Sequence, residues 1–210
     1  MAGAGLTTVT AYANYDLAFR KQVEARVPYA KEYLAAVLMR TEAEVAESVK
    51  SVLHDFQDFP KPGILFKDIM PVLSNPSIYD QVCEVMAQRA RSLQPKVEAW
   101  TDDLENEREL GLPFVAIRKK GKLPGPINAA EFDKEYGKDS MEMQQGRVGA
   151  GDVVFLIDDL LATGGTLRGA VGLLQKEGAS VAEAYVIIEL LALRGRRELE
   201  GIPIKALIKC

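Results

Sequence analysis

Histidine is almost absent from this chain: His54 is the single one in 210 residues. That excludes a histidine-built metal centre or a histidine pair working as acid and base, and His54 itself is read as structural or superficial. Cysteine is nearly as scarce, with Cys83 and Cys210 the only two. Two thiols make neither a disulfide framework nor a zinc set, and they suit a reducing compartment. No apolar run reaches the ~18 residues that a membrane span needs. The opening residues lack the basic-then-apolar layout of a secretory signal, and Asp16 and Glu24 speak against an organelle transit peptide. The expectation is a cytoplasmic protein. Excess positive charge is missing as well: 26 Lys and Arg against 30 Asp and Glu leave a net charge of -4 and a pI near 5.3. No global field exists to hold nucleic acid or an anionic membrane, although a local basic cluster can still take a small polyanion.

What is present suits one medium domain with an appendage. Hydrophobic residues make up 48% of the chain, enough for a core. Residues 1–40 read as an extension, with helical spacing after Pro28 through Tyr29, Tyr33, Val37 and Leu38; residues 41–210 read as the main domain. Thr41 with Glu44 forms a capping box, and Val45, Val49, Val52, Leu53 and Phe56 predict one apolar helical stripe that ends at Phe59-Pro60-Lys61-Pro62-Gly63. Ser77 with Asp80 predicts a second helix start, with Val82, Val85, Met86 and Leu93 on its inner face. Strands are predicted at Val97–Trp100, Pro113–Ile117, Val153–Ile157 and Tyr185–Ile188, with a helix over Leu167–Lys176 stopped by Gly178. Strand, helix, strand at this spacing makes the class α/β.

The chemistry concentrates where Val153–Ile157 runs into Asp158-Asp159-Leu160-Leu161-Ala162-Thr163-Gly164-Gly165-Thr166. A buried strand, then two acids, a turn of small residues and a helix start is the place where an α/β sheet carries its ligand. Gly164 and Gly165 let successive N–H groups converge on an anion; the helix dipole and the Thr163 and Thr166 hydroxyls add to that. The acids would repel a phosphate, so they are read as facing vicinal sugar hydroxyls. The whole is a ribose 5-phosphate site. The plain alternative is that Asp158 and Asp159 cap a turn and the glycines serve chain geometry. The block is neither a Walker A loop nor a G-x-G-x-x-G turn.

This block resembles the signature loop of the type I phosphoribosyltransferases, in the wording of the adenine-specific branch. Three further stretches match that branch in order: Asp58 to Ile69 (DFPKPGILFKDI), Arg118 to Pro126 (RKKGKLPGP), and Glu135-Tyr136-Gly137. The resemblance implies a central, mostly parallel sheet flanked by helices, with a mobile lid and here an N-terminal helical extension. It also implies transfer of a phosphoribosyl group from phosphoribosyl pyrophosphate to adenine, giving AMP and pyrophosphate, with Mg2+ and as a homodimer. Carried over, Asp158 and Asp159 hold the ribose hydroxyls, and Ala162, Thr163, Gly164, Gly165 and Thr166 wrap the 5-phosphate. Leu65, Phe66 and Lys67 flank adenine, and Leu160 with Leu190 makes the apolar wall of the base pocket. Arg118, Lys119 and Lys122 meet pyrophosphate at the start of the lid, Glu135 is the acid/base residue, and Tyr136 covers the site. No direct side-chain metal ligand is expected. Many relatives carry arginine where Lys67 stands, which alters that contact.

One family feature is absent. The pyrophosphate loop reads roughly Gly-x-x-(Ser/Ala)-Arg-Gly-Phe, whereas residues 101–109 here read Thr-Asp-Asp-Leu-Glu-Asn-Glu-Arg-Glu, with five acids where an anion should be welcome. Loss of such donors typically costs a few kcal/mol in the transition state, roughly two to three decades of rate. Three readings follow: an enzyme that binds pyrophosphate through Arg118, Lys119 and Lys122 alone, a non-catalytic relative that holds nucleotide and regulates or assembles with a partner, and a phosphate-binding α/β protein of another class.

Overall fold

The computed structural model describes residues 41–59, 62–63, 65–101, 112–134 and 137–210. Of these, 41–53 with 70–85 form one compact unit and 54–69 with 86–210 form another. The expected helix after Pro28 and the acidic segment Asp102–Glu109 lie outside the described residues.

The first unit opens on helix α1 (Glu42–Val52), whose N-cap Thr41 and N3 residue Glu44 make the predicted reciprocal capping box. The Thr41 N–H donates to Glu44 Oε2 at 2.7 Å, and the Glu44 N–H donates to Thr41 Oγ1 at 3.3 Å. Val45 and Val49 are fully buried. Thr41→Ala removes one cap acceptor and is expected to lower stability by about 1 kcal/mol, measured by urea unfolding; an unchanged midpoint would show the cap to be idle. The stripe was expected to continue to Phe56, and it does not. Leu53 is the C-cap, and His54–Gln57 leaves the helix as strand β1, paired antiparallel with β2 (Leu65–Asp68). Backbone partners on β2 satisfy what another helical turn would have satisfied, and Phe56 ends half exposed.

After the short helix α2 (Met70–Leu73) comes α3 (Pro76–Leu93). Its start corrects the predicted Ser77 cap: Asn75 Oδ1 accepts the Ile78 N–H at 3.3 Å, and Pro76 takes the first helical position, where its missing N–H costs nothing. Val82, Val85 and Met86 are buried as expected, while Leu93 is only partly so.

The second unit is built on a seven-stranded sheet in the order β5-β6-β4-β3-β7-β8-β9. The strands are β3 (Val97–Trp100), β4 (Phe114–Lys119), β5 (Ile127–Lys134), β6 (Gly137–Gln144), β7 (Val153–Leu161), β8 (Ser180–Glu189) and β9 (Ile204–Lys209). Strands β4, β3, β7, β8 and β9 run parallel; β5 and β6 form an antiparallel hairpin on the β4 edge. Helix α4 (Gly165–Lys176) joins β7 to β8 as the predicted parallel unit. Ala99, Val115, Leu156 and Val186 share one core with Leu167, Leu173 and Leu174 of α4. On the opposite face Phe155 meets Tyr185 ring to ring at 6.1 Å. There the C-terminal part of α3 is tied to β8 by Arg89, whose Nε donates to the buried Glu183 at 2.8 Å.

Strand β3 is followed in the sequence by β4 on one side, and β7 by β8 on the other. The chain therefore reverses its direction of travel between β3 and β7, and the crevice beyond the carboxyl ends of those two strands is where such sheets bind ligands.

Candidate active site

Strand β7 runs four residues further than its apolar stretch predicts. The strand was expected over Val153–Ile157, with the acids at its end; it continues past them, Asp158 pairing with Val186, Leu160 with Ile188 and Leu161 with Glu189 on the longer β8. The continuing ladder of β8 supplies backbone partners that a reading of β7 alone does not contain. Asp158 is 4% exposed, whereas Asp159 is half-buried. Successive residues of a strand point to opposite faces, so the two carboxylates are separated by the pleat. The Asp159 N–H donates to Asp158 Oδ1 at 3.2 Å.

Beyond Leu161 the chain turns through Ala162, Thr163 and Gly164 into α4. Gly164 caps the helix with φ 87° and ψ -2°, a left-handed conformation that costs a residue with a Cβ steric energy. A Cβ there would also overlap the carbonyl oxygen of Gly195. Only glycine fits on either count. Asp158 and residues 160–167 line one open hollow of about 50 Å³, and Asp159 is outside that lining. One carboxylate, two threonines and the first turn of a helix thus converge at the mouth of the switch-point crevice. The end of β3 is pinned beside it, with the Thr101 N–H and Oγ1 both donating to the Ile157 carbonyl, at 3.1 and 3.3 Å.

The other predicted residues divide. The Leu190 N–H donates to the Leu161 carbonyl at 2.9 Å, so Leu190 stands at the same sheet end as Leu160, although only Leu160 lines the hollow. Leu65, Phe66 and Lys67 sit on β2, in the two-stranded sheet and outside the lining of the hollow; Lys67 Nζ pairs with Asp55 at 2.7 Å, and Phe66 meets Phe59 edge-on at 5.1 Å. Arg118 and Lys119 end β4, in register with Glu142 and Met141, and Lys122 is exposed in the connection to β5. The segment read as a lid is thus the run into the β5–β6 hairpin, paired up to Lys134 and Gly137. Glu135 and Tyr136 lie outside the described residues.

Two charged features were not foreseen. Glu98, in the middle of β3, is 4% exposed and faces Phe114 and Phe155 across its ladders. Burial pushes its carboxyl up to about 7. The indole of Trp100, two residues along on the same face, pulls weakly the other way, since its buried Nε1 reaches no acceptor at hydrogen-bond geometry. Arg196 forks onto the buried Glu189 at 2.6 and 2.7 Å, and that hydrogen bonding raises the guanidinium further above its ordinary range.

The profile of the Phosphoribosyl transferase domain matches residues 102–203. The adenine phosphoribosyltransferase of Caenorhabditis elegans is 44% identical over 174 residues, covering 79% of this chain and 94% of that protein. The chain belongs to the adenine phosphoribosyltransferase family. Its sheet superposes on solved members of the family. The enzyme from Thermoanaerobacter pseudethanolicus matches with a TM-score of 0.71 at 35% identity, over 79% of this chain and 99% of that one. The Saccharomyces cerevisiae adenine phosphoribosyltransferase, solved with an imino-altritol bisphosphate and adenine, gives 0.71 at 31% identity over the same shares. The mostly parallel seven-stranded sheet flanked by helices is thus the type I phosphoribosyltransferase fold, and the chain is a phosphoribosyltransferase, a glycosyltransferase of purine salvage.

Proposed function

We propose that this chain transfers the phosphoribosyl group of phosphoribosyl pyrophosphate to adenine, releasing AMP and pyrophosphate. The observation that carries the proposal is the hollow at the end of β7, where a buried carboxylate and a glycine-capped helix start share one opening. Ala162 to Thr166 take the 5-phosphate on backbone N–H groups and hydroxyls. Asp158 accepts hydrogen bonds from the ribose 2′ and 3′ hydroxyls, with Asp159 in the lesser part. Leu160 and Leu190 wall the base, Leu65, Phe66 and Lys67 approach its edge, and Arg118, Lys119 and Lys122 meet pyrophosphate.

In the reaction the bond between the anomeric carbon and the pyrophosphate oxygen breaks, the ribose ring takes oxocarbenium character, and a purine nitrogen forms the new bond and loses its proton. Glu135 is assigned that proton, and Tyr136 the covering of the site. One buried carboxylate beside a phosphate cradle fits a Mg2+ carried in by the substrate, which Asp158 would hold through water and not as a direct ligand. That ion would stabilise the charge gathering on the leaving group. Closure of the lid that begins at Arg118 to Lys122 would keep water from the cationic sugar. The protein is proposed to work in the cytoplasm as a homodimer, with residues 1–40 as an extension and 41–210 as the catalytic domain.

The acidic segment 102–109 favours a second reading, a relative that binds nucleotide without turnover. Labelled adenine incubated with the purified protein, phosphoribosyl pyrophosphate and Mg2+ separates the two. AMP formed only when all are present supports the enzyme; tight AMP binding with turnover at background supports the second reading, and neither binding nor turnover contradicts both.

A further inference from the structure

The turn that follows β8 comes back against the phosphate loop, and its closest approach is backbone on backbone. Leu191–Leu193 and Gly195–Leu199 are short 3-10 turns, joined at Arg194. Gly195 is buried, and its φ lies outside the left-handed region. Its lack of a side chain therefore serves space and not backbone conformation. A Cβ at Gly195 would overlap the Ala162 carbonyl oxygen and come within 2.8 Å of Leu161 Cδ1 and 2.9 Å of the Gly164 nitrogen. The constraint is reciprocal, since a Cβ at Gly164 would overlap the Gly195 carbonyl oxygen. Two glycines from segments about 30 residues apart in sequence thus interlock where the later turn meets the loop that lines the hollow.

Three ties hold the bracing turn at that height. Arg196 Nε and Nη2 donate to Glu189 at 2.6 and 2.7 Å, and Nη1 donates to the Ile204 carbonyl at 2.9 Å, fixing the turn to the ends of β8 and β9. Glu198 accepts from Arg168 of α4 at 2.5 Å, fixing it to the helix whose first turn lines the hollow. The Leu190 N–H donates to the Leu161 carbonyl at 2.9 Å, at the last residue of β7. An exposed ion pair such as Arg168–Glu198 adds little alone. The fork onto the buried Glu189 is the stronger tie, because its geometry is bidentate and one partner is desolvated.

We propose that Gly195 is a positioning residue: with Arg196 holding it, its backbone sets the height of Ala162–Gly164 and so aims the loop's N–H groups at the phosphoryl oxygens. The inference rests on the assignment of the hollow to a sugar monophosphate. A displacement of about 1 Å at such a site can cost up to 100-fold, so a single methyl group behind the loop has leverage.

The test compares Gly195→Ala with Gly201→Ala. Gly201, in the same stretch, has φ 82° and open space around it, so its alanine variant strains the backbone without touching the loop. Calorimetric titration with ribose 5-phosphate is expected to show Kd raised about tenfold in Gly195→Ala and unchanged in Gly201→Ala. Hydrogen exchange at the 163–166 amides is expected to quicken in Gly195→Ala alone. Equal affinity and equal exchange in Gly195→Ala and the native protein would overturn the inference. Should Gly195→Ala not fold, Arg196→Lys decides: it keeps the charge and loses the fork, and a Kd and loop exchange both unchanged would overturn it. A native protein that binds no ribose 5-phosphate refutes the assignment of the hollow, and the exchange comparison, which needs no ligand, still tests the brace.

Discussion

Asp158→Asn is expected to weaken ribose 5-phosphate and AMP binding by about tenfold to a hundredfold, read by isothermal titration. A carboxylate accepts from two vicinal hydroxyls at once, and its charge strengthens both bonds. The asparagine amide is neutral, offers one acceptor and turns a donor toward a hydroxyl that must then rearrange. The same substitution at Asp159 is expected to cost only about threefold, since the strand pleat turns that side chain from the face carrying Asp158 and it is outside the lining of the hollow. Equal losses at the two positions would show that β7 opens on binding and brings both acids to the sugar; no loss at Asp158 would refute its role.

Glu98→Gln is expected to stabilise the protein in a pH-dependent way. Below pH 4.5 the Glu98 carboxyl is protonated in folded and unfolded chains alike and contributes nothing to the pH dependence. As pH rises toward 7 the unfolded chain releases this proton while the folded chain keeps it, because burial holds the folded carboxyl up to about 7. The unfolded state then binds fewer protons, so folding stability falls across this window. Above 7 the folded protein carries the full penalty, about 3 kcal/mol for the interval between 4.5 and 7. Glutamine has no proton to lose. Urea unfolding at pH 4 and pH 8 should therefore show the advantage of Glu98→Gln over the native chain growing by about that amount between the two. The same advantage at both pH values would mean that Glu98 is charged and compensated in the fold.

What could be read from the residues alone was what local chemistry decides. Thr41 and Glu44 are three apart and satisfy each other without outside help, so their capping box was legible. Five consecutive apolar residues at Val153–Ile157 announced a strand covered on both faces, and Gly164 a turn closed to side chains, whereas Gly165 is the first residue of the helix and has no positive φ. The extension of β7 through Asp158 to Leu161 was not legible, because it depends on how long β8 is. Phe56 is apolar at a helical position, yet its backbone finds partners on β2, a pairing that no helical stripe encodes. Asn75 and Ser77 are both good caps, and the choice fell to Pro76, whose fixed φ suits the first helical position. Strands β5, β6 and β9 went unpredicted; 127–134, with Ala129-Ala130 followed by charged residues, shows no clear alternation. Nothing in the sequence around Gly195 singles it out, since what makes it necessary is the Ala162 carbonyl, more than 30 residues earlier. The family motifs identified the family because they occur together and in order, where each alone would have had a plain structural explanation.

A crystal structure of the protein with AMP at saturating concentration puts the central claim to its most direct test. The account predicts the phosphate on the backbone N–H groups of residues 163–166 and the ribose hydroxyls on Asp158. A phosphate bound elsewhere, with the end of β7 unoccupied by nucleotide, would contradict it.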